Sequence, residues 1–212
     1  SPAALETAFT LSLGTPETMA AQARDNTHRP LLKIKLGSDG DIERMDAVCK
    51  AAPNTRIIVD ANEGWRENTI RQNLEAATKF GIALIEQPLP ADDDALLRDL
   101  PHTVPICADE SVHEAQDLEK LIGRYDAINI KLDKAGGLTA ALELRDNARA
   151  LGFQIMVGCM VGTSLAMAPA VLLAQAANFV DLDGPLLLAR DREPALAYAG
   201  SLVSPPTPAL WG

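Results

Sequence analysis

Five apolar runs in this chain end in a charged residue, and the distances between those ends are nearly constant. Leu32-Lys33-Ile34-Lys35, Arg56-Ile57-Ile58-Val59-Asp60, Ile82-Ala83-Leu84-Ile85-Glu86, Val104-Pro105-Ile106-Cys107-Ala108-Asp109 and Ala127-Ile128-Asn129-Ile130-Lys131 place their final charges about 25, 26, 23 and 22 residues apart, the length of one strand, one helix and their loops. A repeat this regular, with a charge closing each run, points to an α/β barrel of the TIM type whose active site lies at its carboxyl-end mouth. The chain has 212 residues, 47% of them hydrophobic, enough to bury a substantial core as one domain at the small end for an eight-fold barrel.

A formal net charge of -10 argues against nucleic acid or an anionic membrane as partner, since both need clustered Lys and Arg. Cys49, Cys107 and Cys159 are odd in number, widely spaced and without a Cys-x-x-Cys pair. Neither a disulfide framework nor a structural zinc site is indicated, and a reducing cytoplasm fits. No charged segment followed by an apolar one opens the chain, and the long apolar run from Val161 to Val180 is broken by Thr163, Ser164, Pro169, Gln175 and Asn178. It reads as a buried barrel helix rather than a membrane span.

Taken in order, Ala8 to Leu13 reads as strand one. Thr15-Pro16-Glu17 supplies an N-cap, a first-turn proline and an early acid for a helix to about Arg24. Helices are expected over Asp41 to Ala52, Asn68 to Phe80 with Gly81 as its stop, Ala115 to Gly123, and Leu138 to Leu151. Asp92, Asp93 and Asp94 lack the alternating ligands and central Gly of a calcium loop and read as a solvated helix start. Phe153 to Val157 reads as strand seven and leads into Gly158-Cys159-Met160. Phe179 to Pro185 reads as strand eight, with Asp181 and Asp183 on one face. Residues 1–203 are assigned to the barrel and 204–212, rich in proline, to an irregular tail.

Side chains alternate along a strand, so Lys33 and Lys35 point together. An edge strand also exposes lysines, but the other strand ends favour a shared site. Asp60, Glu86 and Asp109 would give a hard divalent cation three oxygen ligands, and magnesium suits so few protein carboxylates. His28, His102 and His113 fall in loops or helix starts, so proton transfer is sought at lysine. Four strand steps separate Lys35 from Lys131, which would set them on opposite walls of the mouth. One lysine could take a proton from one face of a carbon and the other return a proton to the opposite face, with Lys33 as the nearby cation that tunes Lys35. A Schiff-base role for Lys131 is the alternative.

These residues resemble the enolase superfamily, and within it the muconate-lactonising branch: Lys33-Ile34-Lys35, Asp60-Ala61-Asn62, Glu86-Gln87-Pro88, Asp109-Glu110-Ser111 and Asn129-Ile130-Lys131 match its landmarks in order. The resemblance implies a modified (β/α)7β barrel, a magnesium ion and an enolate formed next to a carboxylate. Gly158-Cys159-Met160, Asp181-Leu182-Asp183-Gly184-Pro185 and Asp191-Arg192-Glu193-Pro194-Ala195-Leu196 resemble dipeptide epimerases of the L-Ala-D/L-Glu type. That implies Asp181 and Asp183 as the grip on a dipeptide ammonium, Cys159 and Met160 as further substrate contacts, and an isomerase that recycles cell-wall peptides. N-acylamino acid racemase, o-succinylbenzoate synthase and a non-catalytic barrel are the alternatives. The family also has an N-terminal α+β capping domain, which this chain is expected to lack because it begins only a few residues before strand one; the cap is then cleaved away, lies outside these residues, or is supplied by a second polypeptide. A homo-oligomer is compatible with the sequence.

Overall fold

A computed structural model of the chain describes residues 1–37 and 39–211. One sheet holds eight strands in sequence order: β2 (Phe9–Leu11), β3 (Leu31–Lys35), β4 (Arg56–Asp60), β5 (Leu84–Glu86), β6 (Ile106–Ala108), β7 (Ala127–Ile130), β8 (Gln154–Val157) and β9 (Phe179–Val180). A second sheet joins β1 (Leu5–Glu6), β11 (Leu202–Val203) and β10 (Tyr198–Ala199), in that order. Strands in sequence order separated by helices are the connectivity of a βα barrel. The contacts gather the chain into two compact units.

The first unit comprises Thr10–Ser111 and Glu119–Ala127. Its helices are α1 (Pro16–Asp25), α2 (Asp41–Ala51), α3 (Glu67–Phe80) and α4 (Leu118–Leu121), the last only partly within it. The start of α1 follows the sequence reading: Thr15 Oγ1 accepts from Thr18 N at 3.3 Å and Pro16 fills the first turn. Gly81 stops α3 at φ 71°, the left-handed conformation that glycine adopts without cost. Ile70, Leu74 and Ala77 recur at helical spacing and are buried. The pairs β3–β4, β4–β5 and β5–β6 are parallel. Both faces of such strands are covered, which is why Ile57, Ile58 and Val59 form an unbroken apolar run, all buried.

The second unit comprises 1–9, 112–118 and the chain from Ile128 onward. It holds α5 (Leu132–Ala135), α6 (Leu138–Ala150) and α7 (Ser164–Leu173). Strands β8 and β9 pair in parallel, Met156 with Phe179 and Val157 with Val180. In the small sheet Leu5 and Tyr198 both stand opposite Val203, on its two sides.

Several sequence expectations shift. The run from Val161 to Val180 is not one helix: α7 ends at Leu173, a 3-10 turn follows over Ala174–Ala176, and Phe179 and Val180 belong to β9. Strand β9 stops at Val180, so Asp181 and Asp183 lie beyond its end rather than within a strand. Between Ala115 and Gly123 a 3-10 turn and the four-residue α4 replace the longer helix. Asp94 is buried at 2% exposure, not solvated, because Arg124 Nη1, Tyr125 OH and Ser111 Oγ each donate to its carboxylate at 2.7–2.8 Å.

Candidate active site

In the first unit, the register aligns Lys35 with Asp60 and Asp60 with Glu86, while Glu86 aligns with Cys107, two residues before Asp109. The predicted side chains are thus brought to the carboxyl ends of four adjacent parallel strands. Lys33 is 2% exposed, with Nζ 3.1 Å from Asp60 Oδ2 and 2.7 Å from Glu86 Oε2. Lys35 Nζ lies 2.7 Å from the same Asp60 oxygen, but its side chain is 33% exposed. The same face of one strand therefore carries one lysine sealed between carboxylates and one that reaches solvent. Burial would push the Asp60 carboxyl up, yet the ammonium groups of Lys33 and Lys35 outweigh it and hold the group below the usual carboxylate range.

Asp60, Glu86 and Asp109 are all buried, and their oxygen-only chemistry fits a hard divalent cation. Among the described residues, no three His, Cys, Asp or Glu side chains are grouped as a metal cage. The ammonium of Lys33 instead lies between the Asp60 and Glu86 oxygens.

The backbone around these carboxylates is unusual. Asn62, Glu63 and Gln87 have positive φ values of 44°, 62° and 36°, a conformation that non-glycine residues take at a cost and that clusters at functional sites. It is held by cross-loop bonds, Ala61 N to Glu86 O at 3.0 Å and Glu63 N to Gln87 O at 2.8 Å. Gly37 and Gly64 also approach so closely that a Cβ on Gly64 would fall 2.2 Å from Gly37 Cα.

Gln87 is a residue whose part sequence reasoning missed. It is fully buried; its Oε1 accepts from Asp109 N at 2.8 Å and Ser111 N at 3.2 Å. Its Nε2 donates to Leu89 O, Ser111 Oγ and Tyr125 OH at 2.8–2.9 Å. Gln87 thereby ties the backbone of Asp109 to the end of β5, and Asp94 anchors the network by accepting from Ser111 and Tyr125. The signal was available as a glutamine beside the Glu86 strand end, but nothing local in the sequence shows what it holds. His102 has a structural part: its ring nitrogens lie 2.8 Å from Asp126 Oδ2 and 2.9 Å from Leu97 O.

In the second unit, Lys131 caps α5 at 8% exposure, and its carbonyl accepts from Lys134 N and Ala135 N at 3.0 Å. A Cβ on Gly158 would fall 2.7 Å from Asn129 Oδ1, so the glycine after β8 makes room for the side chain two residues before Lys131. Asp181 and Asp183 are 4% and 3% exposed. Gly184 lies against the loop after β8: a Cβ there would meet Met160 O at 3.0 Å and Cys159 Sγ at 3.3 Å. Cys159 and Met160 are therefore beside the Asp-x-Asp segment, though the Met160 side chain is 56% exposed.

The chain matches the family model described as Enolase C-terminal domain-like over residues 18–197. It belongs to that family. An N-acetyl-D-glutamate racemase from Pseudoalteromonas sp is 50% identical over 97% of this chain and 65% of its own length. The L-Ala-D/L-Glu epimerase of Escherichia coli (strain K12) is 48% identical over 93% of this chain and 62% of its own length. A crystal structure of an enolase family member from Agrobacterium tumefaciens, with homology to dipeptide epimerases and with bound sodium and L-Ala-L-Glu, superposes with a TM-score of 0.99 at 60% identity. That comparison covers 100% of this chain and 65% of the solved one. The chain thus spans slightly less than two thirds of the length of these relatives. The enolase-type barrel expected from the strand-end motifs is the fold of this chain.

Proposed function

We propose that the chain is the barrel of a magnesium-dependent dipeptide epimerase of the L-Ala-D/L-Glu type, an isomerase that inverts the α-carbon of the C-terminal residue. The observation that carries this reading is the division of labour between Lys33 and Lys35, one sealed at 2% exposure and the other 33% exposed on the same Asp60 oxygen. A base must reach substrate, and a tuning cation must not leave. Asp181 and Asp183 are assigned to the substrate ammonium, because a buried cation needs carboxylate partners. Cys159 and Met160 line the same subsite.

Lys35 and Lys131 are assigned as the two bases. One removes the α-proton and the other delivers a proton to the opposite face, passing through an enolate and inverting the centre without a covalent intermediate. Asp60, Glu86 and Asp109 would hold magnesium, which when bound supplies charge stabilisation for the substrate carboxylate as it gains negative charge. A capping domain of the kind the family resemblance implies would exclude water from the reaction. A cytoplasmic location and a part in recycling cell-wall peptides belong to the same reading. No helix among the described residues is long and apolar enough to cross a membrane.

Proton NMR of L-Ala-L-Glu in deuterated buffer with magnesium tests the reading. Loss of the Glu α-proton signal together with appearance of the L,D diastereomer is the expected result. Lys35→Ala and Lys131→Ala should each abolish epimerisation while leaving proton exchange on one stereoisomer only; full turnover in either variant would sink the two-base scheme. A second reading, racemisation of an N-acylated amino acid, is favoured by the 50% identical Pseudoalteromonas relative. Such a substrate has no ammonium for Asp183, so Asp183→Asn separates the two: dipeptide binding should weaken and N-acetylglutamate binding should not.

A further inference from the structure

We propose that Thr7 and Tyr198 are positioning residues for the Asp181/Asp183 pair, acting as a two-sided clip on the backbone of Leu182. Leu182 N donates to Thr7 Oγ1 at 2.8 Å, and Tyr198 OH donates to Leu182 O at 2.6 Å. Both peptide groups of the residue between the two carboxylates are thus held by side-chain hydroxyls, and the Leu182 side chain is fully buried. The inference rests on the assignment of this pair to the substrate ammonium.

The clip is built on the small sheet rather than on the barrel strand that precedes the pair. Thr7 follows β1 and is fully buried; its N–H donates to Ser201 O at 2.8 Å and its hydroxyl donates to Ala8 O at 3.2 Å, leaving an oxygen lone pair for Leu182. Tyr198 lies on β10, and β11 joins β10 to β1, with Val203 facing both Tyr198 and Leu5. One sheet therefore sets the separation of the two hydroxyls. On either side of the clip, Asp181 N donates to Val157 O at 2.9 Å and Asp183 O accepts from Leu186 N at 2.8 Å. Burial first, and then the neighbouring Cys159, Asp183 and Asp191, push the Tyr198 hydroxyl above its ordinary range, so it remains a donor at any working pH.

Two carboxylates that share one ammonium must keep their spacing within about half an ångström, and the dihedral angles of Leu182 set that spacing. Loosening the clip should therefore weaken binding of the ammonium end and spare the proton transfer. In the full-length protein, Tyr198→Phe and Thr7→Val should raise KM and calorimetric Kd for L-Ala-L-Glu by about tenfold while kcat changes by less than about twofold. Thr7→Ser, which keeps the hydroxyl, should restore binding. Unchanged KM in both variants, a loss confined to kcat, or a Thr7→Ser variant as weak as Thr7→Val would each overturn the clip; where Tyr198→Phe does not fold, the Thr7 pair decides. Asp183→Asn is the separate arm. If it weakens dipeptide binding while the clip variants do not, only the clip falls, and if it leaves dipeptide binding unchanged, the ammonium assignment fails and the clip with it.

Discussion

Gln87 shows how much one buried side chain can hold at the residue scale. Replacing it by leucine, of similar volume, would strip the acceptor from Asp109 N and Ser111 N and the donor from three oxygens. Each buried group left unpaired costs about 1–3 kcal/mol, and the strained φ of 36° at this position would remain. Gln87→Leu should lower stability by about 2–4 kcal/mol, read as a shift in the urea midpoint. Gln87→Glu preserves the acceptor but loses the amide donors, and should lie between the wild type and the leucine variant. A Gln87→Leu protein with an unchanged midpoint would show that the backbone of Asp109 does not depend on this contact.

At the scale of elements, the start of α7 depends on a residue 27 positions away in sequence. Ser164 N donates to Asp191 Oδ1 at 2.9 Å, the Ser164 hydroxyl donates to Asp191 Oδ2, and Leu196 N donates to Ser164 Oγ at 2.9 Å. Asp191 therefore serves as an acidic cap for α7 from outside the helix and fastens the 191–196 segment to it. Burial pushes the Asp191 carboxyl up, but the bonds from Ser164 and Arg192, with the Arg192 charge, hold it below the usual range. A depressed folded value means the stabilisation is complete above the unfolded aspartate value of about 3.9 and is lost as pH falls through the folded one. Asp191→Asn should cost about 1 kcal/mol at pH 7, and its urea midpoint should converge with that of the wild type as pH falls from about 3.9 through the lower folded value. A difference that persists undiminished in acid would place the effect elsewhere.

For the whole molecule, the magnesium assignment has a thermodynamic consequence that does not need substrate. An ion that binds the folded chain stabilises it by about 2.7 kcal/mol at a hundred times its dissociation constant. Thermal unfolding with magnesium should therefore occur at higher temperature than with a chelator, and Asp109→Asn should abolish most of the difference. An identical Tm in the two conditions for the unsubstituted protein would remove the metal from the proposed site.

The sequence by itself determined the class of fold and the strand ends that carry Lys33, Lys35, Asp60, Glu86, Asp109 and Lys131, because parallel strands buried on both faces write themselves as apolar runs closed by a charge. It also placed the start of α1 and the stop of α3, where Thr15, Pro16 and Gly81 act within one turn of chain. What it could not show depends on partners far away in sequence. Strands β1, β10 and β11 have two residues each, too few for any alternation to register, and β1 pairs with β11 across almost the whole chain. The burial of Asp94 depends on Ser111, Arg124 and Tyr125, so three acids in a row read locally as solvated although one is not. The apolar run after Val161 gave no sign of where helix gives way to strand, since both are buried there. Only tertiary structure decided which lysine is sealed and which reaches solvent, because alternation gives two side chains the same face and burial depth is set by what packs above them.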